Sequence, residues 1–181
     1  MKHFYEDIPG WFSFLELYKK MVQRVTDKAH FVEVGCWLGR STAFMAVEIY
    51  NSRKDIKFDC VDHWHGANEG WDGQVLFRSF LKNMLPVQNV INPIRLPSEL
   101  AAKLYPNDSL DFVFIDGNHS YESVKLDIES WYPKVKSGGI LAGHDYDTIW
   151  PGVTKAVKEF LLKTNYPLIV QSEFCWGIEK K

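Results

Sequence analysis

The stretch "FVEVGCWLGRST", residues 31–42, reads as a buried strand, a tight turn and the start of a helix. Outward from it the same grammar repeats. Short apolar runs recur as "IKFDCV" (56–61), "VINPI" (90–94), "LDFVFI" (110–115) and "GILAGH" (139–144), with "HFVEV" (30–34) as the first of the set. Between them lie the helix-like segments "STAFMAVEIYN", "VLFRSFLKNML", "SELAAKLY" and "YESVKLDIESWYPKV". Nearly continuous apolar strands are those of a parallel sheet covered on both faces. Strands alternating with helices make βαβ units, so the fold class is α/β with a doubly wound, mostly parallel sheet. After a helix at "GVTKAVKEFLLK", the segments "YPLIVQS" and "FCWGIEK" read as two closing strands, an antiparallel end to a seven-stranded sheet. "WFSFLELYKKMVQRV" (11–25) has the periodicity of an amphipathic helix. No linker or repeat divides the chain, so residues 1–181 are expected to form one domain, with 1–27 as an N-terminal helical extension.

In such sheets ligands bind beyond the carboxyl ends of the strands, where the strand order reverses. The first strand ends at Glu33, followed by the Gly35–Gly39 turn. A dinucleotide fingerprint needs G-x-G-x-x-G, and Trp37 stands where its second glycine would be. A phosphate loop is absent too, and Glu33 would repel phosphates. The turn instead suits a zwitterion, carboxylate towards the helix N-terminus and cationic groups towards Glu33. Two packing glycines would give the same spacing. The second run ends in Asp62, where a carboxylate can accept ribose hydroxyls; a helix cap or loop turn is the alternative. Ser98, after the third run, is a candidate N-cap that could also touch an adenine ring.

Asp116 and Asp145 are expected at the tips of the fourth and fifth strands, about 4.8 Å apart if those strands are neighbours. Carboxylates that close repel unless a positive group lies between them. A divalent cation such as Mg²⁺ or Mn²⁺ is one solution, with Asn118, Tyr146 or Asp147 completing its shell. In the other, one Asp caps a helix and its partner bonds loop amides. His119 should project into the cleft as a candidate general base. His144, by strand alternation, is expected to point away from Asp145. "HWHGANEGWDG" (63–73), with Trp64 and Trp71, is expected to form a mobile lid.

The formal net charge of −2 and the lack of a basic stripe argue against a nucleic-acid partner. Three scattered cysteines, Cys36, Cys60 and Cys175, read as reduced core residues. No run is long enough for a membrane span and no signal-peptide core precedes the first helix, so a cytoplasmic location and no membrane partner are expected. A homodimer is allowed.

Together, E-x-G-x-x-x-G, the acid ending the second strand and "DFVFIDGNHSYE…KSGGILAGHDYD" resemble class I S-adenosylmethionine-dependent methyltransferases, nearest to the bacterial group called methyltransferase type 24. That group is similar to macrolide-sugar O-methyltransferases, cephalosporin-hydroxylase-like proteins and, more distantly, catechol O-methyltransferase. The resemblance covers roughly residues 28–180 and implies the Rossmann-like methyltransferase fold with S-adenosyl-L-methionine as cofactor. Glu33, Gly35 and Gly39 would line its methionine end, Asp62 and the adjacent His63 its ribose, Ser98 its adenine. Asp116 would touch the cofactor and share a Mg²⁺ or Mn²⁺ ion with Asp145 and Tyr146. His119, in the place of the catechol enzyme's catalytic lysine, would act with Asp116 in catalysis. Asn118, Pro97 and Tyr146 depart from residues common in relatives. The implied reaction is O-methylation of a small hydroxylated metabolite or sugar. A hydroxylase holding iron through His119, Asp116 and Asp145, and a non-catalytic S-adenosylmethionine-binding protein, are the alternatives on the same fold.

Overall fold

The computed structural model describes residues 1–65, 72–169 and 174–181. Its strands are β1 (Ala29–Val34), β2 (Ile56–Asp62), β3 (Ile91–Arg95), β4 (Leu110–Ile115), β5 (Val135–Gly143) and β6 (Trp176–Glu179). They lie in one sheet in the order β3-β2-β1-β4-β5-β6. The first five run parallel and β6 pairs antiparallel with β5. Helices α1 (Leu15–Arg24), α2 (Arg40–Ser52), α3 (Gly73–Asn83), α4 (Ser98–Ala101), α5 (Tyr121–Trp131) and α6 (Pro151–Thr164) cover it.

Strand alternation sorts the core into two layers. Phe31, Phe112 and Phe114 face α1 and α2 in one apolar cluster. Val32, Val34 and Val113 face α5 and α6 in the other. Apart from the buried acids Glu33 and Asp59, the central strands are therefore apolar on both sides, the pattern that made the runs nearly continuous in sequence. Pro93 sits in β3, the outermost strand, where a missing N–H can face away from the ladder.

Three boundaries differ from the sequence reading. Six strands are present among the described residues, not seven: residues 166–169 form no strand, although the Ile169 N–H donates to the Gly177 carbonyl at 2.9 Å. The rest of "YPLIVQS", residues 170–172, lies outside the described residues. Strand β5 begins at Val135 and carries an irregularity against β4, where Leu110 pairs with Val135 but Phe112 with Ile140. Helix α1 begins at Leu15, not Trp11, because Phe12 and Phe14 are drawn into a ring cluster with Tyr18 and Phe44. No helix among the described residues is long and apolar enough to cross a membrane.

Candidate functional site

Strand order reverses between β1 and β4, and a cavity of ≈ 380 Å³ opens beyond their carboxyl ends. The β1–α2 turn forms one wall. Gly35 is in the left-handed region (φ 90°), and a Cβ there would stand 2.0 Å from the Asp116 carbonyl oxygen. The close approach of the turn to the end of β4 therefore requires glycine. Trp37 is also left-handed (φ 45°), a strained state for a large side chain. It is held by two bonds: its N–H donates to Asp62 Oδ2 at 2.9 Å, and its carbonyl accepts from Trp64 Nε1 at 2.8 Å.

Asp62 is the brace of this wall. Its Oδ2 also accepts from the Cys36 N–H at 3.0 Å, and its Oδ1 from the Trp64 N–H at 2.7 Å. A carboxylate offers about four acceptor sites, so roughly one remains for a ligand facing the cavity. Residue 62 lines that cavity, as does the more exposed His63, whose Nδ1 accepts from the His65 N–H. Gly35, Ser98 and Asp116 line it too.

Glu33 and Gly39 stand apart from the cavity lining. The Glu33 carboxylate is buried on the opposite face of β1, where Tyr18 Oη donates to it at 2.9 Å and Thr42 Oγ1 donates to its other oxygen. Burial raises its pKa. Period-2 alternation accounts for this: if Val34 faces the cavity, Glu33 cannot. Gly39 caps α2 in the left-handed region, where a Cβ would meet Met84 and Phe80 of the packed layer. The close packing of α2 on α3 explains that glycine.

At the tips of β4 and β5 an acid–histidine group assembles. Ile115 pairs with Gly143, so Asp116 and His144 follow side by side. His119 Nε2 lies 2.9 Å from Asp145 Oδ2. His144 Nδ1 lies 3.3 Å from Asp145 Oδ1 and 3.7 Å from Asp116 Oδ1. His144 thus turns towards the carboxylates, contrary to the sequence expectation. The strand has ended at Gly143 and Asp145 is left-handed (φ 61°), so alternation no longer governs the side chains. Tyr146 packs at the edge of the α5–α6 apolar layer, and the grouped donor atoms, all within 4.8 Å of one another, are those of Asp116, His144 and Asp145.

The charges in this group set one another. Burial, reinforced by the nearby Asp145, pushes the Asp116 carboxyl up to about 7, against the pull of His144. Although burial opposes it, hydrogen bonds from His119 and His144 hold Asp145 well below the usual carboxylate range. The bond to Asp145 raises His119 in turn. Trp150 packs on the His119 ring at a centroid distance of 4.2 Å. From the far side of the chain, Ser13 Oγ lies 3.1 Å from His144 Nε2, and the Phe14 ring lies 4.9 Å from the imidazole.

Two site residues were missed from sequence. Ser13 gave no local signal. Asp127 did: it is an acid on the buried stripe Val124–Asp127–Ile128–Trp131 of α5, where an apolar residue is the rule. It lines the cavity and is 6% exposed, and burial pushes its carboxyl up to about 6. The lid expectation fares differently. Trp64 is buried against Phe77 and Phe80 and belongs to the core, while Trp71 and residues 66–70 lie outside the described residues.

Comparison with known proteins places this geometry. The profile of a family described as a methyltransferase domain matches residues 32–146, more than half of the chain. The solved O-methyltransferase NovP is similar in fold, with a TM-score of 0.72 and 21% identity over 93% of this chain and 80% of that one. CalS11, a TDP-rhamnose 3'-O-methyltransferase of calicheamicin biosynthesis, superposes with a TM-score of 0.64 and 17% identity over 91% and 76%. An uncharacterized protein of Sinorhizobium fredii, y4gI, is 27% identical over 94 residues; the match covers 50% of this chain and 10% of that protein's length. The architecture is that of the Rossmann-like methyltransferases, with six strands described.

Proposed function

The chain belongs to the methyltransferase-domain family, and from that premise we propose that it transfers a methyl group from S-adenosyl-L-methionine to a hydroxyl of a small acceptor. The observation that carries this reading is continuity: one cavity runs from the Gly35 turn past Asp62 to Asp116, where the acid–histidine group begins. The walls fit the cofactor. Gly35 presents bare backbone, Asp62 keeps about one acceptor site, and Asp127 adds a buried carboxylate to the lining. The volume lies in the range of small-ligand sites.

When bound, S-adenosylmethionine supplies a methyl group already activated on a sulfonium. The protein's task is then alignment and removal of the acceptor's proton. Alignment of the reacting pair is worth on the order of 7–11 kcal/mol. His119 is the proton acceptor in this reading. Asp145 holds its Nε2, which leaves Nδ1 as the nitrogen to take the hydroxyl proton and fixes the ring while it does so. Trp150 against the same ring limits water access and offers an apolar face beside the acceptor. The names of NovP and CalS11 make O-methylation, and a sugar hydroxyl, the chemistry we carry over by analogy of fold.

Asp116, Asp145 and His144 are the residues that would hold a divalent ion, which would lower the acceptor hydroxyl's pKa. The imidazole in this set suits Mn²⁺ or Fe²⁺ better than Mg²⁺. Two histidines beside two carboxylates also favour, as a second reading, an iron-dependent hydroxylase on this scaffold. A non-catalytic cofactor-binding protein is the reading that any turnover removes.

Titration of the protein with S-adenosylmethionine, followed by turnover against a panel of hydroxylated acceptors with and without chelator, tests the proposal. Binding with methyl transfer that His119→Ala reduces by about 100-fold or more is the expected result. No binding would overturn it. Turnover unaffected by chelator would remove the ion alone, and iron in protein purified without oxygen, with no methyl transfer, would favour the hydroxylase.

A further inference from the structure

Ser13 lies outside the part of the chain that the family profile matches, yet it touches the acid–histidine group. Its neighbour Phe14 is fully buried against Phe114 of β4, so the main chain is anchored to the sheet at this point. The anchor sets both residues against His144. The Phe14 ring lies 4.9 Å from the imidazole, and Ser13 Oγ lies 3.1 Å from Nε2. His144 is tied through its backbone as well, where its N–H donates to the Ile115 carbonyl at 3.1 Å. The ring therefore presents Nδ1 to Asp145 and Asp116, at 3.3 and 3.7 Å, and Nε2 to Ser13.

That division of nitrogens decides what the ring can do. An imidazole nitrogen binds an ion through its lone pair, so Nδ1 can join Asp116 and Asp145 as a ligand only when the ring proton sits on Nε2. The Nε2–H then needs an acceptor, and with the side chain only 13% exposed, water is a poor substitute. Ser13 Oγ stands at hydrogen-bond distance. A hydroxyl oxygen can accept there while its own proton points elsewhere. Outer partners of this kind fix the tautomer and the aim of a ligating ring.

We propose that Ser13 is the positioning residue of a divalent-ion site formed by Asp116, His144 and Asp145. It accepts the Nε2–H of His144 and so keeps Nδ1 available as the ligand. This rests on the ion part of the reading above. The segment before α1 thereby takes part in the site, although its residues are remote in sequence from the strand tips that carry the ligands.

Calorimetric titration of the full chain with Mn²⁺ alone, without cofactor or acceptor, tests this with no need for turnover. Ser13→Ala should weaken Mn²⁺ binding by about tenfold or more. Its affinity for S-adenosylhomocysteine, measured without ion, and its ion-free melting temperature should stay at the wild-type values, because Ser13 is not part of the cavity lining. Ser13→Thr, which keeps the hydroxyl, should retain most of the Mn²⁺ affinity. In His144→Ala protein, whose residual affinity comes from the carboxylates, adding Ser13→Ala should change nothing more. If Ser13→Ala binds Mn²⁺ as wild type does, if Ser13→Thr loses as much as Ser13→Ala, or if the loss persists without the imidazole, the assignment falls. If wild-type protein binds S-adenosylhomocysteine but not Mn²⁺, the ion and this assignment fall together while the cofactor reading stands.

Discussion

Asp62 shows how much a single side chain can hold in place. Three backbone N–H groups converge on it, from Cys36, Trp37 and Trp64, and two of those residues form the turn that walls the cavity. Asp62→Asn should therefore cost about 1–3 kcal/mol in urea unfolding even without ligand, since an amide nitrogen cannot accept what one carboxylate oxygen did. Sequence reasoning placed this acid at a strand end and gave it to a ribose, because nothing in a string of letters shows which backbone donors will fold over it. Asp127 carries a pH signature. Its carboxyl titrates near 6 in the fold and near 3.9 in an unfolded chain. The folded state holds the proton more tightly, so this group's contribution is full below pH 4 and is lost as pH rises through 6. The loss amounts to about 2–3 kcal/mol. Stability curves of wild type and Asp127→Asn should converge or cross over that window, the wild type falling relative to the variant as pH rises; parallel curves would refute it.

At the scale of elements, the chain before α1 reaches across the molecule. Phe14 is fully buried and packs on Phe114 of β4 at 4.4 Å and on His144 beyond β5, while Ser13 meets His144 directly. Phe14→Ala should destabilise by about 3–5 kcal/mol, and chemical denaturation would show it. Ser13→Ala should leave the unfolding midpoint within about 0.5 kcal/mol of wild type while altering turnover through His144. The elements themselves were legible because their signals are local: continuous apolar runs gave five parallel strands, and 3.6-residue periodicity gave the covering helices. What failed was local inference carried past an element's end. Alternation turned His144 the wrong way because β5 stops one residue earlier and Asp145 bends the chain through a left-handed step. Helical spacing drew α1 too far back because rings at 12 and 14 satisfy the same count of apolar positions while packing off the helix.

For the whole molecule, parallel strands bring residues from 35, 62, 98, 116 and 127 to one cavity wall. Ligand that binds only the folded state stabilises it by mass action, about 2.7 kcal/mol at a hundredfold excess over Kd. S-adenosylhomocysteine at that excess should raise the melting temperature by roughly 5–10 °C. NAD should leave it in place, because the Trp37 side chain occupies the turn where a pyrophosphate needs glycine. A shift with NAD alone would reverse the reading of the turn.

The sheet also has two flanks, and among the described residues each is interrupted at one position. Pro93 withholds a donor on the β3 side, and the outward Gly177 carbonyl on the β6 side is taken by Ile169 of the same chain. A stray strand therefore finds little to zip onto at either border. A second chain adding itself to the sheet would meet a gap in the ladder at Pro93 and an acceptor already used at Gly177.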